Sequence, residues 1–125
     1  MIFLNVGNIS IDREHFSNSN SLKQVVIHSK SDVTLYDKCF SKANQFKSIV
    51  IGGKNISIKR SCFEDCSSFD SFLLVQSENI ELGFRAFYKC NRISSINLDV
   101  ESNITIDDKC FKGINIRSVE LKGKN

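Results

Sequence analysis

Residues 79–98 read Asn79-Ile80-Glu81-Leu82-Gly83-Phe84-Arg85-Ala86-Phe87-Tyr88-Lys89-Cys90-Asn91-Arg92-Ile93-Ser94-Ser95-Ile96-Asn97-Leu98. A turn residue opens the stretch, an apolar-x-apolar triplet follows, and a phenylalanine comes five positions after that triplet. Apolar or small residues stand three and six positions beyond the phenylalanine, and a second apolar-x-apolar triplet closes the unit. The same order runs through the chain, with Phe16, Phe40, Phe63, Phe87 and Phe111 spaced by 24, 23, 24 and 24 residues. A unit this short cannot bury its own apolar side, so it must stack on copies of itself and share one elongated core.

The phase is kept almost to the residue. The second unit has Asp32, Val33, Leu35, Phe40, Ala43, Phe46, Ile49 and Ile51, and the third has Asn55, Ile56, Ile58, Phe63, Cys66, Phe69, Phe72 and Leu74. The first follows with Asn8, Ile9, Ile11, Phe16, Ser19, Leu22, Val25 and Ile27. The last has Asn103, Ile104, Ile106, Phe111, Ile116, Val119 and Leu121, and is one residue shorter after its Phe. The triplets are rich in β-branched residues and alternate with period 2, and no window sustains a helical period. Six of them, Ile2 to Leu4, Val25 to Ile27, Ile49 to Ile51, Phe72 to Leu74, Ile96 to Leu98 and Val119 to Leu121, are predicted to form one parallel sheet. The other triplets form a second, shorter set of strands, and a helical turn is expected around each Phe.

The segment Leu82-Gly83-Phe84-Arg85-Ala86-Phe87-Tyr88-Lys89-Cys90, with Ile93, Ile96 and Leu98 after it, resembles the BspA-like leucine-rich repeat, whose hallmark is an Ile-Gly-x-x-Ala-Phe-x-x-Cys core. Cys62-Phe63-Glu64-Asp65-Cys66 is a weaker copy. The chain has no proline, and the Gly and Ala of the core occur together only in the fourth unit, which marks a divergent member. The resemblance implies a right-handed leucine-rich-repeat solenoid that works in binding, often at the surfaces of bacteria and protists. The expected fold is therefore a β-rich solenoid of about five 23–24-residue repeats with a parallel sheet on one face, the alternative being a parallel β-helix-like solenoid.

A chain of 125 residues, 41% apolar and 25% charged, suits a single globular domain over residues 1–125 and excludes a disordered chain. No apolar run reaches the length of a membrane span, and the N-terminus lacks the basic and apolar regions of a signal peptide. The expected location is cytoplasmic for a complete chain and the cell surface for a fragment of a longer array. Both ends read as uncapped half-repeats, from which either a longer array or end-to-end self-association is expected. The net charge of +3 is small and the basic residues are scattered, so nucleic acid is not an expected partner.

The five cysteines occupy two positions of the repeat. Cys39, Cys62 and Cys110 precede the Phe, in the column that also holds His15, while Cys66 and Cys90 lie three residues after it. Columns of buried free thiols are the preferred reading, since the count is odd and nothing marks an oxidising compartment. Bridges between neighbouring units, Cys39 to Cys62 or Cys66 to Cys90, are the alternative. Cys62-x-x-x-Cys66 lacks a second pair at ligand spacing, so no metal and no cofactor are expected. Asn8, Asn55 and Asn103 each begin an N-glycosylation acceptor, but Asp32 and Asn79 hold the same phase without completing it, and the column is read as turn chemistry. There is no nucleophile elbow, no phosphate loop and no histidine beyond His15 and His28, which argues against an enzyme.

In each main-sheet triplet the middle residue points away from the core. One outward column should read Val26, Val50, Leu73, Asn97 and Glu120, and two residues further along a second should read His28, Gly52, Val75, Asp99 and Lys122. Val26, Val50, Leu73 and Val75 then form an apolar patch bordered by polar residues, the kind of surface on which a protein partner docks. The expected function is a non-enzymatic protein-binding module acting in recognition or cell-surface adhesion, with a self-associating scaffold as the alternative.

Overall fold

The computed structural model of the chain describes residues 1–114 and 118–122. Ile116 and Asn125, which the repeat phase places in the last unit and at its end, lie outside the described residues. Nine strands are present: β1 (Ile2–Asn5), β2 (Ile9–Ile11), β3 (Gln24–Ser29), β4 (Val33–Leu35), β5 (Ser48–Gly52), β6 (Asn55–Ile58), β7 (Ser71–Leu82), β8 (Ser95–Ile106) and β9 (Ser118–Lys122). All pairings are parallel. The main face runs β1-β3-β5-β7-β8-β9, and a second face runs β2-β4-β6 onto the C-terminal halves of β7 and β8. The β-rich solenoid expected from the repeat is thus the observed fold.

The two faces meet at a corner whose construction explains the single 23-residue interval. Ile51 and Ile56 are five residues apart, whereas Leu74 and Ile80 are six apart. The shorter corner is made by Gly52 and Gly53, both buried. A Cβ on Gly53 would meet Val33 Cγ2 at 2.9 Å and Ser31 O at 3.0 Å, so the tight path has no room for a side chain. On the next turn the ladder shifts register between Leu74 and Ser77, and Gln76 at φ 40° lies inside that bulge. The chain thereby stays in strand pairing from one face to the other, and β7 and β8 run unbroken through the corner.

The core is a stack of rings. Phe16, Phe40, Phe63, Phe87 and Phe111 stack in sequence with centroids 5.4, 5.2, 5.4 and 5.4 Å apart and ring planes within 13–21°. Phe46 and Phe69 lie beside them, each 5.0 Å or less from a spine ring. Rings held this way add attraction beyond the area they bury.

No helix occurs among the described residues, and the helical turn expected around each Phe is replaced by another backbone. The residues two before and two after every spine Phe are left-handed: Glu14 and Asn18, Lys38 and Lys42, Ser61 and Asp65, Arg85 and Lys89, Lys109 and Gly113. Alternate amides then face opposite ways. Lys38, Phe40 and Lys42 donate from backbone N–H to the carbonyls of Arg60, Cys62 and Glu64 on the next turn at 3.0, 2.8 and 2.8 Å. The alternate amides, of Cys39, Ser41 and Ala43, close local turns onto Tyr36, Lys38 and Phe40, each at 3.1 Å. Left-handed backbone costs roughly 1 kcal/mol per residue with a side chain, and here it is offset by a third ladder of inter-turn hydrogen bonds.

One register differs from the sequence expectation. The triplet Ile2 to Leu4 was expected to turn Ile2 and Leu4 inward, but β1 pairs Ile2 with Val26, Phe3 with Ile27 and Leu4 with His28. Phe3 is the residue that packs on the core, with its ring 6.3 Å from that of Phe16. A slip of one residue moves every side chain of a strand to the other face. A ring is the larger group to bury, and Phe3 stands six residues before Ile9, as Ile27 stands six before Val33.

The turn-residue column is tied by its own ladder. Asn55 Nδ2 donates to Asp32 Oδ1 at 3.0 Å, Asn79 Nδ2 to Asn55 Oδ1 at 2.7 Å, and Asn103 Nδ2 to Asn79 Oδ1 at 3.1 Å. Two of the three acceptor-motif asparagines, Asn55 and Asn103, thus use their amide nitrogen to hold turns together.

Phe63→Ala is expected to lower stability by about 3–5 kcal/mol, the usual cost of emptying a buried ring site. A chemical-denaturation midpoint equal to the parent's would contradict the spine. Asn79→Ala removes one donor and one acceptor of the ladder and should cost about 1–3 kcal/mol; the same denaturation series, with exposed Asn91→Ala as reference, measures it.

Candidate binding face

Pairing along the main face assembles the outward columns. Val26, Val50, Leu73, Asn97 and Glu120 stand directly opposite one another on successive strands. On β3, β5, β7 and β8 their inward neighbours are buried, while Val26, Val50, Leu73 and Asn97 are half-buried; on β9 both Glu120 and Leu121 are exposed. His28, Gly52 and Val75 form a second row in register, and Asp99 pairs with Lys122. Between Val75 and Asp99 the register shifts, so this column is two pieces and not the continuous row expected from spacing. A shallow depression bridges the break and is lined by Leu73, Val75, Asn97, Asp99, Glu120 and Lys122.

Gly52 lets two side chains meet. A Cβ there would lie 2.8 Å from Val75 Cγ2 and 3.3 Å from His28 Cδ2, so both lean across the glycine. The slip in β1 adds two members that triplet counting had assigned to the core. Ile2 and Leu4 are 67% and 72% exposed and stand beside Val26 and His28. The six-residue spacing from Phe3 to Ile9 was the signal that could have placed them. The apolar half of the face is therefore Ile2, Leu4, Val26, Val50, Leu73 and Val75, and the polar half is Asn97, Asp99, Glu120 and Lys122.

The cysteines lie in the core and are all free. Cys66 and Cys90 donate from Sγ to the carbonyls of Phe40 and Phe63 on the preceding turn, each at 2.9 Å. Burial is the main reason the Cys66 thiol is pushed up to about 12, with the Asp65 carboxylate adding a smaller push, and burial takes Cys110 to about 12 as well. Burial also raises Cys62 and Cys90, with the Cys39 thiol next to Cys62 and the Cys66 thiol next to Cys90 working in the same direction. Thiols of this kind are poor nucleophiles and poor metal ligands. Among the described residues no three His, Cys, Asp or Glu side chains gather as a metal site, and His15 is exposed at the edge of Phe16. No helix of the described residues is long and apolar enough to cross a membrane.

Stacked parallel turns around a phenylalanine spine, with one open sheet face, define a repeat solenoid of the leucine-rich class. The chain belongs to the BspA type leucine-rich repeat region family, whose model matches residues 9–125 in six copies, one more than the five Phe-centred units. No curated protein and no solved structure gave a match. The family is a repeat module that generally binds proteins.

The raised thiol pKa values carry a pH dependence with a definite sign. The unfolded thiol ionises from 9.0, whereas Cys66 in the folded protein holds its proton to about 12. The unfolded state thus sheds protons first, and stability should be level below about pH 8 and fall progressively between about 9 and 12. Denaturation midpoints across that range check this, and no loss would contradict it. Iodoacetamide at pH 8 should label none of the five thiols in the native protein and all five in urea, read by intact mass.

Proposed function

We propose that this chain is a non-enzymatic protein-recognition module whose main sheet face docks a protein partner, as in adhesion at a cell surface. The observation that supports this reading is the unbroken apolar field of Ile2, Leu4, Val26, Val50, Leu73 and Val75, over which no other segment among the described residues packs. The partner that fits it presents an apolar strip to these side chains. Beside the strip it presents polar groups to Asn97, Asp99, Glu120 and Lys122, whose mixed charge sets the direction of docking. Residues 1–125 act as one recognition unit in this reading, with no cofactor.

A second reading, a scaffold that self-associates through its ends, is favoured by the polarity of the loop ladder. Each turn donates amides toward the next, so one end offers carbonyls and the other offers N–H groups, a head-to-tail match. The outer edge of β1 also has no strand partner among the described residues.

A photo-crosslinker at Leu73, expressed in cells that make the protein, is expected to give a discrete adduct with a different protein. Val50→Lys with Leu73→Glu should abolish the same adduct formed from a crosslinker at Val26, with the denaturation midpoint nearly unchanged. An adduct with a second copy, together with mass that rises with concentration in light scattering, would replace docking by the scaffold reading. A large stability loss in the double variant would place those side chains in the core.

A further inference from the structure

The Phe-centred loops carry a cluster that the sheet-face reading leaves unused. Phe84, Arg85 and Tyr88 lie on the fourth turn, all half-buried. The Arg85 guanidinium stands 4.5 Å from the centre of the Tyr88 ring and 5.3 Å from that of Phe84. Arg60, from the preceding turn, lies 4.9 Å from the Phe84 ring, and Lys89 Nζ lies 5.3 Å from the Tyr88 ring. Three cations thus share two rings.

None of Arg60, Arg85 and Lys89 donates a side-chain hydrogen bond or forms an ion pair among the described residues. Arg85 Nε is buried with no acceptor among the described residues. Glu64 and Asp65 are close in the fold, since Asp65 N–H donates to Tyr88 O at 2.9 Å, yet their carboxylates reach none of the three cations. Holding like charges around shared rings without an anion costs energy, and an orphaned guanidinium nitrogen adds to that cost. An anion reaching the exposed Arg60 and Lys89 heads and the outer edge of Arg85 offsets the repulsion.

We propose that this loop cluster is a second binding site that takes carboxylate side chains of an acidic protein segment. A guanidinium lying over a ring can still donate from its terminal nitrogens, and a planar two-oxygen carboxylate is the acceptor that matches such a pair of donors. Arg60 and Arg85 come from adjacent turns and both lie against the Phe84 ring, so two guanidinium groups are gathered at one place. Two carboxylates on one extended segment satisfy both, which a single small oxyanion does not. The site is independent of the sheet face and stands or falls apart from it.

Hexaglutamate peptide is the probe, titrated by calorimetry and by the NMR signal of the Arg85 Nε–H. The expected result is saturable binding that moves the Arg85 signal and weakens about tenfold in Arg60→Gln/Arg85→Gln, the loss typical of a removed charge-assisted pair. Arg13→Gln/Lys23→Gln, which removes the same two charges at exposed positions of the first unit, should leave affinity within about twofold, as should Val50→Lys/Leu73→Glu, because charges beyond a Debye length are screened. Equal weakening by Arg13→Gln/Lys23→Gln overturns the proposal in favour of net charge. An Arg85 signal that hexaglutamate leaves unmoved overturns it in the parent protein, whether or not the variants fold. Sodium sulfate moving that signal at the same concentrations also overturns it, as a site for an isolated oxyanion.

Discussion

Everything in this molecule depends on one residue per turn stacking on its copy in the next. Each spine phenylalanine couples two kinds of inter-turn force at the same place. Its ring stacks on the rings above and below, and its backbone N–H donates to the next turn, as from Phe40 to Cys62 O and from Phe63 to Ala86 O, each at 2.8 Å. Ring position and backbone direction are therefore locked together. A turn that loses its neighbour loses both at once, so stability is a property of contacts between turns and not of any single turn.

That dependence explains the residues packed around the spine. From the second turn on, the position before the Phe is small and buried, holding Cys39, Cys62, Ala86 and Cys110, and its backbone carbonyl accepts from the previous turn's Phe; on the first turn it is the exposed His15. Three residues after the Phe, Ala43, Cys66 and Cys90 fill another narrow column, where a thiol can return a weak hydrogen bond to a carbonyl that alanine cannot. At Cys66 and Cys90 cysteine serves as a small apolar group with a donor, and burial keeps these thiols protonated. Redox chemistry is not needed to account for any of the five.

The period, the spine, the cysteine columns and the outward face were legible because a repeat averages out local ambiguity: five copies in phase say what one copy cannot. What was not legible arises where a copy departs from its neighbours or where the information is in the backbone. Phe3 broke the triplet rule because Ile2, Phe3 and Leu4 are all apolar and type alone does not choose a face. The left-handed pairs were hidden because Glu14, Lys38, Ser61, Arg85 and Lys109 share no side-chain chemistry that favours such a backbone. Neighbouring turns impose it through the ladder. The Arg85 cluster was equally hidden, since stacking Arg60 on Phe84 joins residues 24 apart whose meeting depends on turn register.

Stacking also decides where chemistry is free to differ. Inward positions of the main sheet stay apolar from turn to turn, as Ile27, Ile51, Leu74 and Leu98 show, because each must fit the one beneath it. The middle position, one residue away, runs Val26, Val50, Leu73, Asn97, Glu120, passing from apolar to charged along five strands. Register places these side chains edge to edge at strand spacing, so each turn adds one step to a graded surface. The loop tips have the same freedom: the position after the Phe runs Ser17, Ser41, Glu64, Tyr88, Lys112. A solenoid of identical cores thus carries two independently written surfaces, one on the sheet and one on the loops. The order of those steps is information that spans several turns and that no single turn contains.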